Sequence, residues 1–347
     1  MKPRIRALYE IDHLLGKGGM ATVLAARDLR TGEAVAIKWL GEPGASPGDK
    51  ELARFEQEAR IAGSLASPYV ARVFDIGRDP ETGVPYLVME LLSGEDLQAL
   101  LDRTGALRPE AATRIAIQTC AGLAAAHAAG VVHRDVKPSN LFLTRRDDGE
   151  IVVKVTDFGI AKIRRPIPGT PGASKALPAP PVSMTKSGEI LGSPLYMSPE
   201  QVEASRRVDA RSDVFSLGVS LYAMLTGRAP YAHIKSFVQL LYTIVNIPAP
   251  PLASAAPWVP VELAGVVDKA MSHDIEARFP DAKAMLAALQ ACAPGEVVLR
   301  EEMLTTADKG SHQAVAPPPA EVSPEATTVR QEDAKASLWR RFLGLWR

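Results

Sequence analysis

Residues 8–40 read as three short strands, and the last two, "VLAARD" and "EAVAIKWL", are joined by the turn "LRTG" with Gly32. Over residues 50–66 the spacing turns helical. Leu52, Phe55, Ala59, Ala62 and Leu65 share one face, with charges elsewhere. "VARVFDIG" and "PYLVMELL" read as two further strands, the second apolar enough to be buried. After Gly94 the pattern becomes mostly helical. Residues 109–129 make an Ala-rich helix that opens on Pro109 and stops at Gly130. "NLFL" and "IVVKVTDFG" are short strands around the turn "RRDDGE", and helical patterns return at 209–226, 234–245, 260–272 and 280–292. Residues 164–188 are rich in Pro, Gly, Ser and Thr and read as an exposed loop. Residues 306–335 are rich in Pro, Ala, Glu and Thr and read as disordered. The pattern predicts a sheet-rich N-terminal lobe, a larger helical lobe and a flexible tail, with no internal repeat.

Composition narrows this organisation. The chain has 347 residues and is 46% hydrophobic, enough to build a core over most of its length. Lys plus Arg equals Asp plus Glu at 40 each, so no global field draws in nucleic acid. Cys120 and Cys292 sit in no CxxC or Cys/His cluster, which argues against a zinc site or disulfide framework and fits a reducing compartment. The basic N-terminus "MKPRIRALYEIDHLL" lacks the apolar core of a signal peptide. No run approaches the ~18–20 apolar residues of a membrane span, so a cytoplasmic protein is expected.

The segment "GKGGMATV", residues 16–23, brings three glycines close together. It lacks the GxxxxGK[ST] string of a P-loop. Gly16, Gly18 and Ala21 formally match a dinucleotide-binding fingerprint, but that fold needs a helix directly after the loop. Here a strand, a turn and a second strand follow. A loop between antiparallel strands, lying as a flap over phosphates, fits instead.

Five elements then follow in order. "VAIK" puts Lys38 on a strand, and Glu58 lies on the next helix. "HRDVKPSN" carries Asp135, Lys137 and Asn140, "DFG" carries Asp157, and "SPE" ends a long loop at Glu200. Over about residues 8–292 this ordered series closely resembles the protein kinase family, specifically the bacterial eukaryotic-like (Hanks-type) Ser/Thr kinases. The resemblance implies an α+β bilobal protein kinase fold. A small antiparallel-sheet N-lobe with one helix (about 8–92) precedes a larger helical C-lobe (about 93–292). Residues 293–336 would be a flexible linker and 337–347 a short basic amphipathic segment.

The resemblance also implies roles. Phosphoryl transfer leaves a protein little covalent chemistry, so the site positions groups and neutralises charge. Gly16, Gly18 and Gly19, flanked by Leu15 and Lys17, would let backbone amides approach ATP phosphates without a Cβ clash. Val23 and Ala36 would line the adenine pocket. Met89 would be the gatekeeper, with Glu90 and Leu92 supplying hinge backbone. Lys38 would bind the α/β-phosphates, aimed by Glu58, which fits the pattern better than Glu51 or Glu56. Asp157 would hold the main Mg2+ and Asn140 the second, with Mn2+ as an alternative ion. Asp135 would orient the substrate hydroxyl and accept its proton, and Lys137 would stabilise the transferred group. Each residue also has a plainer reading, Lys38 as a solvated strand lysine and Asp157 as a turn former.

"KPSN" resembles Ser/Thr rather than tyrosine kinases. Ser193 stands where the family usually has threonine, Ala21 replaces the third glycine, and Ser198 the alanine of "APE". A serine hydroxyl at 193 can still bridge Asp135 and Lys137, and small residues are tolerated at the other two positions. In the family the arginine equivalent to Arg134 often receives a phosphorylated loop residue; Thr185 and Ser187 are the candidates here. The loop insert "RRPIPGTPGASKALPAPP" adds Thr170 and Ser174. Glu200 should meet Arg278, and Asp213 should cap the catalytic-loop backbone. His133, His127 and Cys120 read as structural.

In "SLWRRFLGLWR", residues 337–347, helical spacing gathers Leu338, Trp339, Phe342, Leu343 and Trp346 opposite Arg340, Arg341 and Arg347. Three readings stand level: an interfacial helix on a membrane surface, a peptide docking into a partner, or a tail that is frayed or folded back. The expected activity is Ser/Thr phosphorylation of protein substrates, with autophosphorylation, in signal transduction. Dimerisation through the N-lobe is common in the resembled family. The rivals are a pseudokinase-like scaffold and a small-molecule kinase of the same fold. Intact Lys38, Asp135, Asn140 and Asp157 argue against the first, and the activation-segment residues against the second.

Overall fold

A computed structural model of the chain describes residues 4–5, 8–17, 21–40, 63, 65–158, 193–203, 205, 208–293, 295 and 297–304. The expected helix over 50–66, the 164–188 loop and the whole tail beyond 304 lie outside the described residues, apart from residues 63, 65 and 66.

The N-terminal sheet is antiparallel throughout. Its strands are β1 (Arg4–Ile5), β2 (Tyr9–Lys17), β3 (Ala21–Asp28), β4 (Ala34–Leu40), β5 (Val73–Arg78) and β6 (Pro85–Glu90), in the order β1-β2-β3-β4-β6-β5. The turn between β3 and β4 closes where Gly32 N–H donates to Asp28 O at 2.7 Å, with Gly32 at φ +78°. That left-handed backbone favours glycine. Strand alternation sorts β4 into two faces. Val35 and Ile37 join Ile5, Tyr9, Ala26, Tyr86 and Val88 in the N-lobe core, while Ala36 and Lys38 point the other way.

The larger lobe begins with β7 (Gly94–Asp96) and α1 (Leu97–Thr104), whose first turn is capped by the Asp96 carboxylate accepting from Ala99 N–H at 2.9 Å. At its centre lie α2 (Pro109–Ala128) and α4 (Ala210–Thr226), which contribute Ile115, Leu123, Leu217, Leu221 and Met224 to one large apolar core. Around them are α3 (Pro199–Val202), α5 (Phe237–Asn246), α6 (Leu252–Ala255), α7 (Val261–Ala270) and α8 (Ala282–Cys292). Among the described residues, no helix is long and apolar enough to cross a membrane. Strands β8 (Leu141–Arg145) and β9 (Glu150–Val155) form a hairpin on α2. Gly122 of α2 makes that approach feasible, because a Cβ there would stand 2.7 Å from Tyr69 O and 3.1 Å from a Val155 methyl.

One segment departs from the expected linker. Residues 297–304, "VVLREEML", pack on the lobe as strand β10 (Leu299–Arg300) and a 3-10 turn (Glu301–Leu304). Leu299 and Leu304 are buried in the main core, and this burial is what orders the segment. β10 completes a second sheet in the order β10-β9-β8-β7.

Candidate active site

The N-lobe side of the site is the β2–β3 hairpin and the outward face of β4. Gly16 pairs with Val23, and Lys17 with Thr22, after a register shift between Leu14 and Gly16. Gly18 and Gly19 lie outside the described residues. A Cβ placed at Gly16 meets nothing within 4 Å, so no packing among the described residues calls for glycine there. Open space beside the backbone suits a group that comes from outside the chain. Leu15, 47% exposed, leaves apolar surface beside it. In the sheet Val23 stands opposite Lys38, and the buried Ala36 lies between Ala25 and Met89. The Lys38 ammonium meets Asp157 Oδ1 at 2.5 Å, joining the two lobes at the cleft. Glu58, its expected partner, lies outside the described residues.

Met89, Glu90 and Leu92 form the connection between lobes, at the end of β6 and just beyond it. The Glu90 carboxylate is engaged within the chain. It takes Lys154 Nζ of β9 at 3.0 Å and Arg72 N–H at 3.2 Å, while Glu90 N–H donates to Arg72 O at 2.9 Å.

The segment between α2 and β8 carries Asp135, Lys137 and Asn140, the residues expected to serve the chemistry. Arg134 adopts φ 64° and Asp157 φ 57°, left-handed conformations that cost a non-glycine residue ~1–3 kcal/mol and gather at functional sites. The fully buried Asp213 of α4 holds the first of these. Its Oδ2 accepts His133 N–H at 2.7 Å and its Oδ1 accepts Arg134 N–H at 2.7 Å. His127, at the end of α2, reaches the same Oδ2 through Nε2 at 2.9 Å. His127 Nδ1 accepts from Ala282 N–H, so Nε2 carries the hydrogen. His133 is fully buried; its Nδ1 accepts Asp135 N–H at 3.2 Å and its Nε2 donates to Thr156 O at 2.8 Å. The His133 ring also lies 4.7 Å from that of Phe158. One imidazole thus spaces Asp135 from the strand end that presents Asp157.

Around Asp135 the polar groups converge. Lys137 Nζ donates to Asp135 Oδ2 at 2.8 Å. Asn140 Nδ2 donates to Asp135 O at 2.8 Å and to Asp135 Oδ2 at 3.1 Å. Both amide hydrogens are thereby committed, which leaves the Asn140 side-chain oxygen as the end with lone pairs to offer. Asn140 O in turn accepts Thr156 N–H at 2.9 Å, fixing Asn140 beside Asp157. The Asn140 amide oxygen and the Asp157 carboxylate are hard oxygen groups, the kind of ligand a magnesium-type ion accepts. Such an ion takes few protein oxygens and completes its shell with phosphates and water.

Behind this cluster, Glu200 and Arg278 form a forked pair at 2.9 and 3.0 Å, buried on both sides. Ser212 Oγ donates to Glu200 at 2.6 Å, and Arg278 lies over the Phe215 ring at 4.7 Å. Burial pushes the Glu200 carboxyl up, but the bonds from Arg278 and Ser212 outweigh it and hold it below the ordinary range. Gln201 is a residue the sequence reading missed. Its Nε2 donates to Arg134 O at 2.8 Å, and its Oε1 accepts Ser198 N–H at 3.0 Å. The signal was present in "SPEQ", a capping box. Ser193 opens the short turn Ser193–Tyr196. Thr170, Ser174, Thr185 and Ser187 lie outside the described residues.

A cleft with a lysine–aspartate pair from two lobes, an aspartate–lysine–asparagine loop and a buried loop anchor defines the protein kinase class. The chain belongs to that family: the profile of the protein kinase domain matches residues 9–287. Its relatives include the serine/threonine-protein kinase PknB of Mycolicibacterium smegmatis, 35% identical over 92% of this chain and 48% of that protein. PknB of Mycobacterium leprae is 35% identical over 88% of this chain and 46% of that one. The chain thus spans about half the length of the curated relatives it matches. Among solved structures, the Mycobacterium tuberculosis PknI kinase domain shares the fold with a TM-score of 0.61, at 24% identity, over 84% of this chain and 98% of that one.

Proposed function

We propose that the chain is a Ser/Thr protein kinase that transfers the γ-phosphoryl group of ATP to protein hydroxyls, its own among them. The observation that carries this reading is the convergence of Lys137 and Asn140 on one oxygen of Asp135, close to the Lys38–Asp157 pair. Asp135 orients the incoming hydroxyl and takes its proton as the new O–P bond forms and the bond to ADP breaks. Lys137 neutralises charge on the transferred group. Lys38 holds the phosphates of the nucleotide, and Val23, Ala36, Met89 and the Glu90–Leu92 backbone bound the pocket for its base. Asp157 would hold the main divalent cation, Mg2+ in this reading, and Asn140 a second, and these ions would supply charge neutralisation on the phosphates. Dimerisation through the N-lobe rests on resemblance, and docking of 337–347 on a membrane surface or a partner rests on its helical spacing.

The test is incubation of the full chain and of Asp135→Ala with labelled ATP and Mg2+, followed by mapping of phosphosites. Wild type should label itself or a generic basic protein, and the variant should lose the signal by at least a hundredfold. Labelling at Thr185 or Ser187 would identify the loop positions that Arg134 serves. A wild type that labels nothing while still binding nucleotide overturns the catalytic reading in favour of a scaffold.

A further inference from the structure

Strand β10 lies beyond the residues matched by the kinase family and joins β9 both through its backbone ladder and through a buried carboxamide. Leu299 stands opposite Ile151, and Arg300 opposite Glu150. The same register, continued, sets Val297 opposite Val153. There Val153 N–H and Val297 O each bond a side chain rather than each other. Gln118 of α2, 2% exposed, fills the gap. Its Oε1 accepts Val153 N–H at 2.7 Å and its Nε2 donates to Val297 O at 3.2 Å. The side chain thus stands in for a peptide group in the ladder, using its acceptor and its donor as a backbone amide would. Other contacts tie the same segment down. Arg114 Nη1 donates to Met303 Sδ at 2.8 Å, and Arg145 pairs with Glu301 at 2.8 Å. Val153 lies four residues before Asp157, on the strand whose end holds that residue at positive φ.

We propose that residues 297–304 are a strand-addition strap that positions β9, with Gln118 as its adapter, and that they hold Asp157 in place for the divalent cation. Gln118 is a positioning residue, and the functional boundary of the domain falls at 304 rather than 292. Anything that pulls on the chain beyond 304 acts on β9 through this strap. The activity arm of the test rests on the kinase reading above; the exchange arm does not.

The test uses the full chain with Gln118→Met, which keeps length and volume, and Leu299→Ala, which loosens the strap without touching α2. Gln118→Glu keeps the acceptor for Val153 and loses the donor for Val297. In the nucleotide-free, metal-free protein, amide exchange at Val153 should accelerate about tenfold in Gln118→Met, the size of one lost buried hydrogen bond. Gln118→Glu should restore slow exchange there. Cation titrations of rate should show the Mg2+ concentration for half-maximal activity rising several-fold in Gln118→Met and Leu299→Ala, with peptide KM unchanged. If Val153 exchange and half-saturating Mg2+ stay within twofold of wild type in both variants, the inference is overturned. If either variant fails to fold, the strap is a folding element and the positioning role is likewise rejected. A wild type without kinase activity overturns the functional reading but leaves the exchange result decisive for the strap.

Discussion

Asp213→Ala isolates the cost of holding the catalytic loop. In the native protein two backbone N–H groups, His133 and Arg134, each donate to a separate carboxylate oxygen at 2.7 Å, and His127 adds a third bond at 2.9 Å. A hydrogen bond to a charged acceptor contributes about 1.5–3 kcal/mol, so the two backbone bonds together hold about 3–6 kcal/mol in the loop. That sum exceeds the ~1–3 kcal/mol cost of the left-handed Arg134 conformation. Without it, Arg134 relaxes toward negative φ and Asp135, the next residue, loses its aim. Each 1.36 kcal/mol of lost transition-state positioning is tenfold in rate, which puts the expected fall in kcat/KM at about 10²- to 10⁴-fold. Asn at 213 is no rescue, because its NH2 would face one of the two N–H donors. Steady-state kinetics on a peptide substrate, with circular dichroism as a fold control, measure this. A folded Asp213→Ala that keeps a third of wild-type kcat/KM refutes the reasoning.

Three further outcomes are expected. Arg278→Ala strands the buried Glu200 carboxylate and should cost about 3–5 kcal/mol in denaturant unfolding. Because Glu200 is held below its ordinary 4.5, its contribution is complete above that pH and drains as pH falls through the depressed native value, so wild type and variant should converge in acid; a gap that widens there contradicts the pair. Gly16→Ala should fold with an unchanged Tm, since its Cβ has open space, yet raise the KM for ATP several-fold; an unchanged KM means the loop does not approach phosphates. Burial pushes the Cys120 thiol far up, so a thiol reagent should modify Cys292 first and reach Cys120 only at the rate of unfolding; equal native reactivity counts against this packing.

What the sequence made legible followed the reach of its local signals. The strand carrying Lys38 was legible in "EAVAIKWL", while its place over the nucleotide phosphates came from resemblance; the structure sorts the strand into Val35 and Ile37 on the core face and Ala36 and Lys38 on the other. The α2 helix was bounded by Pro109 and Gly130, and the structure ends it at Ala128. Helix α1 passed unread although Asp96 and Gly105 mark its ends, because its eight residues give little periodicity to detect. Strand β10 was absorbed into its Pro-rich surroundings, although Val297, Leu299, Met303 and Leu304 carry the apolar pattern that buries it. The Glu200–Arg278 pair spans 78 positions, and only resemblance to a family made it visible beforehand.

Gln118 marks the limit of such reading. Inside an alanine-rich helix it has no local signature, and its partners lie 35 and 179 positions away. Asp213, Gln201 and Gln118 share one physical task. Each is a buried or half-buried side chain that satisfies backbone groups of irregular or diverging segments, which would otherwise pay for desolvation unpaired. Asp213 binds the consecutive N–H groups of His133 and Arg134, Gln201 the carbonyl of Arg134, and Gln118 the opening between β9 and β10. The strained conformations at Arg134 and Asp157 therefore sit between fixed points on both sides. In the proposed function, an apolar substitution at any of the three anchors removes none of the residues assigned to nucleotide, cation or hydroxyl, yet it releases a segment on which one of them stands. Loss of activity with retained fold is the signature that separates these anchors from ordinary core positions, where activity and stability fall together.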